Sequence, residues 1–255
     1  MRQIEPNTFI CADNAEVLRD LPDGFCDLCL TDPPYGINIA ARNGSIGQRK
    51  GQGVITRYEY STWDSVKPGR ESFEEMRRVS KQQIVWGGNY FTDCLPPSQC
   101  WLVWNKKQPE GVSFAMAELA YTSFSSSVKW FECSRALIGN KVANNPEKAK
   151  VFVKYHPTQK PVPLFVWCLL NYSKPGDLII DPFCGSGTTA LACHKTGRRF
   201  ICIDREPKYI EIAQQRYQNL VAQTELFGAG EIESGATSAN SAGTQNAQVA
   251  MELES

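Results

Sequence analysis

Asp32, Pro33, Pro34 and Tyr35 are the residues of this chain whose types and order are best suited to chemistry. An ionised Asp32 offers only acceptors. The Pro33 carbonyl adds a second acceptor, held still because proline fixes its own φ, and Tyr35 supplies a flat π-face. Two acceptors beside an aromatic platform suit a planar heterocycle with an exocyclic NH2 group, each N–H meeting an oxygen while the ring stacks. Such a nitrogen is a poor nucleophile, because its lone pair is delocalised into the ring. Hydrogen bonds from both amine hydrogens to fixed oxygens bias it toward a pyramidal geometry and free the lone pair. That is electrostatic preorganisation at the atom where charge develops. The plain alternative is a strand-to-loop turn with an exposed tyrosine.

Residues 25–30 are apolar and β-compatible, so Asp32 is expected at the end of a buried strand. Two prolines then forbid the strand from continuing. The carboxylate is thereby held at a strand's carboxyl end, where open α/β sheets bind ligands. Further strands are predicted at residues 8–13, 83–86, 101–104, 178–181 and 199–204, with an antiparallel pair at 117–124 and 127–133. Helices are predicted at 14–19, 71–79, 162–172, through Lys195, and at 207–220. Thr158 is placed as an N-cap with Pro161 in the first turn after it, and Gly197 ends the helix that runs through Lys195. Strands alternating with helices at both ends of the chain mean a doubly wound, largely parallel sheet. The glycine-rich run from Asp181 to Thr189, with Gly185, Gly187 and Thr188, lies between a strand and a helix, where backbone can approach a nucleotide-like cofactor. Asp204 ends the next strand, the position that accepts hydrogen bonds from ribose hydroxyls in such folds. The glycines do not follow G-x-G-x-x-G and no P-loop lysine follows them, which argues against a dinucleotide or a triphosphate.

With 255 residues and 42% apolar content, the chain can bury one good core. It has no run long and apolar enough for a membrane span and no apolar export signal, so a cytoplasmic protein is expected. The ten cysteines are scattered, and Cys26 and Cys29 form one C-x-x-C pair without a partner pair, so no metal is expected. Net charge is zero but unevenly spread. Residues 42–81 carry nine Lys/Arg against five Asp/Glu, and residues 106–160 nine against four. These two basic stretches suit a polyanion, although solvated loops would have the same composition. The segment from Gly36 to Gly69 is basic and contains Tyr58, Tyr60 and Trp63, as a mobile lid or strand-contacting loop would.

Three motifs now stand in order: Asp32-Pro33-Pro34-Tyr35, His156-Pro157-Thr158-Gln159-Lys160-Pro161, and Asp181-Pro182-Phe183-Cys184-Gly185-Ser186-Gly187-Thr188-Thr189. Together they resemble those of the S-adenosylmethionine-dependent DNA amino-methyltransferases, over about residues 8–220. The catalytic motif precedes the cofactor motif, as in the circularly permuted β group. The resemblance implies a Rossmann-like methyltransferase fold with a mostly parallel, seven-stranded sheet and a small insertion. It implies a methyltransferase domain over residues 1–227, with target recognition in 106–155, and composition alone marks 228–255 as a disordered tail. It further implies that Asp181, Phe183 and Gly185, with His156, Thr158 and Lys160, surround the methionine part of the cofactor. Asp204 would bind the ribose, and Asp13 would lie near the adenine. The target base would be flipped from double-stranded DNA, stacked on Tyr35 and held through its amine by Asp32 and the Pro33 carbonyl. Its nitrogen would then attack the sulfonium methyl in line.

Aspartate at the first motif position usually goes with adenine in this family, so N6-adenine is the expected target. N4-cytosine, an RNA or protein amide, and a non-catalytic DNA-binding module are the rival readings. Arg49, Lys50 and Lys141 are expected on phosphates, with base-reading residues among 129–154. Whether the protein forms a homodimer or works beside a cognate restriction nuclease is open in the sequence.

Overall fold

The computed structural model describes residues 4–37, 67–108, 115–134 and 159–227. The lid-like segment, most of the proposed target-recognition segment and the tail lie outside these residues. Arg49, Lys50, Lys141, His156 and Thr158 lie outside them too.

Among the described residues, eight strands form one sheet: β1 (Thr8–Cys11), β2 (Cys26–Thr31), β3 (Ser80–Trp86), β4 (Trp101–Asn105), β5 (Ala117–Thr122), β6 (Lys129–Glu132), β7 (Leu178–Asp181) and β8 (Arg199–Asp204). Their order is β1-β8-β7-β2-β3-β5-β4-β6. Only β5 runs against its neighbours, β3 and β4; every other pairing is parallel. The class is as expected, with eight strands rather than seven. The expected hairpin of residues 117–124 and 127–133 is corrected: β5 and β6 do not pair with each other but sit on opposite sides of β4. Trp104 and Phe131 explain the preference, because both bury on the same face only when β6 lies in register with β4.

Among the described residues, five α-helices accompany the sheet: α1 (Asn14–Arg19), α2 (Arg70–Val79), α3 (Val162–Tyr172), α4 (Thr188–Thr196) and α5 (Pro207–Phe227). None is long and apolar enough to cross a membrane. Alternation along the strands builds two core layers. Ile179, Phe200, Leu30 and Trp86 face α3 and α4, whereas Ile180, Ile201, Cys29 and Val85 face α1 and α2. Helix α3 is buried from Val162 through Leu169, because it packs against α4 and its side chains join the core on that face of the sheet. Its N-cap position is Pro161, without a side-chain cap, and Pro163 stands in its first turn. The predicted Thr158 cap is therefore wrong, since the helix begins three residues later, where two prolines preset the backbone. Helix α5 runs beyond the predicted Leu220 to Phe227.

The chain leaves β2 toward β3 on one side and returns through β7 on the other, so the sheet's switch point lies between β2 and β7. Both strands end in a residue that speaks across that seam: Thr31 Oγ1 donates to Asp181 Oδ1 at 2.7 Å. Ligands of doubly wound sheets bind in this crevice.

Candidate active site

Asp32 is the first residue past β2, with its side chain 18% exposed. Tyr35 donates its hydroxyl to Asp32 Oδ1 at 2.5 Å, and Lys160 Nζ donates to Oδ2 at 2.6 Å. Lys160 Nζ also reaches the Tyr35 oxygen at 3.0 Å and lies 5.4 Å from that ring's centroid. The Tyr35 ring stacks on Tyr90 at 4.7 Å and meets the edge of Phe91. It can come this close only because residue 87 is glycine, with φ +70; a Cβ there would stand 2.1 Å from Tyr35 Cε1. The tyrosine predicted as a platform is thus held edge and face by its own chain.

A second, largely covered carboxylate stands behind the lysine. Glu118, the second residue of β5, lies 3.0 Å from Lys160 Nζ through Oε2 and 2.5 Å from Lys106 Nζ through Oε1. β5 is antiparallel, so its beginning lies at the edge where β2, β3 and β4 end. The result is an alternating row, Asp32, Lys160, Glu118, Lys106, with both lysine side chains about nine-tenths or more covered. Burial opposes ionisation of Glu118, yet two flanking ammonium groups bring its carboxyl down to about 2. Burial pushes the Asp32 carboxyl up, against the pull of the single ammonium it shares with Glu118. The same carboxylates, outweighing burial, hold Lys160 above its ordinary value.

A cavity of about 330 Å³ runs from Asp32 across the strand ends to Asp181, Asp204 and Asp13. The loop between β7 and α4 forms one wall. Gly185 and Gly187 take φ +48 and +80, and a Cβ on Gly187 would come 2.7 Å from the Ala213 Cβ of α5. Asp204 fixes this loop, accepting from Gly185 N and Glu206 N at 2.9 Å each. Asp13 caps α1 by accepting from Ala15 N at 2.8 Å.

Phe183, Gly185 and Thr188, expected around the cofactor, line the cavity, whereas Gly187 is not in its lining. Asp181 lines it too, but its carboxyl turns inward, to Thr31, Thr189 and the Phe183 amide. Burial pushes that carboxyl up to about 7. Lys160, expected around the cofactor, gives its ammonium to Asp32 and Glu118. Three residues escaped the sequence reading. Glu206, at the end of the β8–α5 connection, and Tyr209, in the first turn of α5, line the cavity. Glu118 was legible in principle, as an acid inside an apolar strand pattern, where a charge requires a partner. The Cys26 and Cys29 thiols are core groups: burial pushes Cys26 up to about 12, and its thiol donates to Val79 O at 3.2 Å.

An open switch-point crevice, a cavity walled by the β7–α4 loop and a largely covered carboxylate beside it mark a ligand site on a Rossmann-like sheet. Residues 96–215 match the family model described as DNA methylase, N6_N4_Mtase. The chain is 27% identical over 255 residues to the type II methyltransferase M.HinfI of Haemophilus influenzae, covering 84% of this chain and 69% of that protein. It is 25% identical over 244 residues to the type II methyltransferase M2.DpnII of Streptococcus pneumoniae, covering 81% and 88%. Among solved structures, the PvuII DNA methyltransferase, cytosine-N4-specific, superposes with a TM-score of 0.53 at 14% identity, covering 98% of this chain and 93% of that one. The M1.HpyAVI-SAM complex gives 0.50 at 20% identity, covering 82% and 98%. These two likenesses concern the fold. The chain is thus similar over residues 96–215 to the DNA methylases of that family model, and along most of its length to two type II methyltransferases.

Proposed function

We propose that this protein methylates the exocyclic N6 of adenine in a base flipped out of double-stranded DNA. The observation that carries the reading is Asp32 itself, a carboxylate at the switch-point end of β2 that faces the cavity while a buried ammonium holds one of its oxygens. Adenine is preferred over cytosine because aspartate at this motif position usually accompanies it in the family that the chain resembles.

The cavity suits S-adenosylmethionine: the acids Asp204, Glu206 and Asp13 offer acceptors for hydroxyl and amino groups, and the glycine loop admits close backbone approach. When bound, the cofactor supplies an electrophilic methyl group on sulfur. The protein's part is to hold the nucleophile. The incoming amine replaces the Tyr35 hydroxyl on Asp32 Oδ1 and places its second N–H on the Pro33 carbonyl. Tyr35, released, lies on the base. Lys160 stays on Oδ2, keeping Asp32 an acceptor through the transfer. The amine becomes acidic only as it gains positive charge, and Oδ1, on a carboxyl that burial pushes up, then receives its proton. Most of the acceleration comes from positioning.

The test is to digest treated DNA to nucleosides and identify the methylated base by mass spectrometry. N6-methyl-2′-deoxyadenosine in the digest supports the reading; N4-methyl-2′-deoxycytidine alone moves the target to cytosine. Asp32→Ala should abolish transfer with cofactor affinity within about threefold, far below the cost of a lost charged hydrogen bond. A calorimetric loss of orders of magnitude in cofactor affinity would refute this role for Asp32.

A further inference from the structure

We propose that Glu118 is a positioning residue for methyl transfer, holding the Lys160 ammonium so that it covers one oxygen of Asp32 and leaves the other for the amine. The proposal rests on the reading of Asp32 as the group that holds the amine. Three observations carry it. Lys160 Nζ lies 2.6 Å from Asp32 Oδ2 and 3.0 Å from Glu118 Oε2, so the ammonium is pinned between two carboxylates from different strands. Glu118 is itself held at its far oxygen by Lys106 Nζ at 2.5 Å, from the residue just past β4. The Glu118 Oε2 atom is buried and accepts no aligned hydrogen bond among the described residues, so the Lys160 ammonium at 3.0 Å is the charge that it meets.

Stability alone is a poor account of such a row. Replacing a buried ion cluster by apolar side chains is often neutral or stabilising, and apolar neighbours are plentiful here, with Trp104 and Phe165 close by in the core. What the row supplies is direction. A lysine on a four-carbon stem has many rotamers. Held by Asp32 alone, Nζ could approach either carboxylate oxygen or remain on the Tyr35 hydroxyl, which it already reaches at 3.0 Å. Glu118 pulls from the opposite side and leaves only Oδ2. Two negative and two positive charges then balance, and the acceptor for the base stays ionised and fixed.

The charged and titratable groups facing Lys160 are Asp32 and Tyr35 after β2, and Glu118 on β5; Lys106 and Asp181 act on them from β4 and β7. Withdrawing the Glu118 charge lowers the pKa of both neighbours, because a negative charge opposes loss of a proton from each. In Glu118→Gln, kcat with saturating DNA and S-adenosylmethionine should fall about 10- to 100-fold. The KM for the cofactor should stay within about twofold, since uniform binding is untouched. The acid and alkaline limbs of the kcat profile should both move to lower pH. In a Lys160→Met background the same substitution should cost nothing further, since its effect passes through that lysine. Glu118→Asp, which keeps the charge but withdraws it by one methylene, should lower kcat with the limbs in place, and it serves if the glutamine variant does not fold. An active wild-type protein whose Glu118 variants keep normal kcat overturns the proposal alone. An undiminished further loss in the Lys160→Met background also overturns it. Failure of the wild-type protein to methylate either base overturns the reading beneath it and the proposal together.

Discussion

The carboxylates of the cavity differ by what surrounds them. Asp204 meets two backbone amides, Asp32 an ammonium and a phenol, and Asp181 two hydroxyls and an amide with no cation among its hydrogen-bond partners. Asp204→Ala should weaken S-adenosylmethionine binding by about 1–3 kcal/mol, the cost of a lost charged hydrogen bond, with a smaller fall in rate at saturation. A calorimetric titration checks it, and unchanged affinity would remove Asp204 from the ribose. Asp181 makes a pH prediction. Its carboxyl is pushed by burial from 3.8 up to about 7, so the folded chain binds this proton more tightly than the unfolded one. The stability from that proton is full below about pH 4 and lost as pH rises to about 7, a difference of about 4 kcal/mol at most. Asp181→Asn should therefore flatten the fall in melting temperature over that range relative to the wild-type protein, while leaving the effects of other acids in place. The sequence marked Asp181 as a cofactor residue because it named the position. It could not tell which way the carboxyl turned, since that depends on Thr31, distant by 150 positions and brought close by the β2–β7 pairing.

At the scale of elements, two glycines permit close approaches beside the site. Gly87, just past β3, admits the Tyr35 ring, and Gly187, just before α4, admits Ala213 of α5. Both have positive φ, so alanine adds strain of about 1 kcal/mol at each besides the clash. Gly87→Ala should displace Tyr35 and lower kcat, with cofactor affinity retained. Gly187→Ala should push α4 from α5 and reverse that pattern, weakening the cofactor first. Measuring both constants for both variants checks the pair. Element type was legible wherever period and punctuation agreed: the Pro-Pro stop after β2, the Gly197 end of α4 with φ +68, and the apolar run of α3. Pairing was not legible. Residues 117–124 and 127–133 are near in sequence and both β-compatible, which suggested a hairpin. Yet the apolar face of each is better covered against β4, and local sequence does not encode which neighbour covers a strand. The row at Glu118 was hidden for the same reason, because it depends on where β5 starts relative to the ends of β2 and β4.

The whole molecule has no net charge, so holding a duplex requires its positive residues to gather on one side. About half of the surplus in residues 42–81 and 106–160 lies outside the described residues, Arg49 and Lys50 included, and the sequence is the ground for the prediction. Reversing Arg49 and Lys50 to glutamate should weaken binding to all DNA sequences alike and reduce the slope of affinity against salt by about 2, one for each phosphate no longer neutralised. Binding isotherms at several salt concentrations check it. The sheet order has a consequence for how the protein comes into being. β1 and β2 each pair with strands that arrive some 150 or more residues later: Thr8 with Ile201 and Leu28 with Ile179. During synthesis Asp32 to Tyr35 leave the ribosome early, and the cavity wall at β7 and α4 and the lysine at 160 all follow. A nascent chain short of β8 therefore carries the chemistry without a chamber to perform it in. Closure of these long-range pairs is slow by comparison with local pairing. Competence thus appears late and all at once, when the eighth strand slots between the first and the seventh.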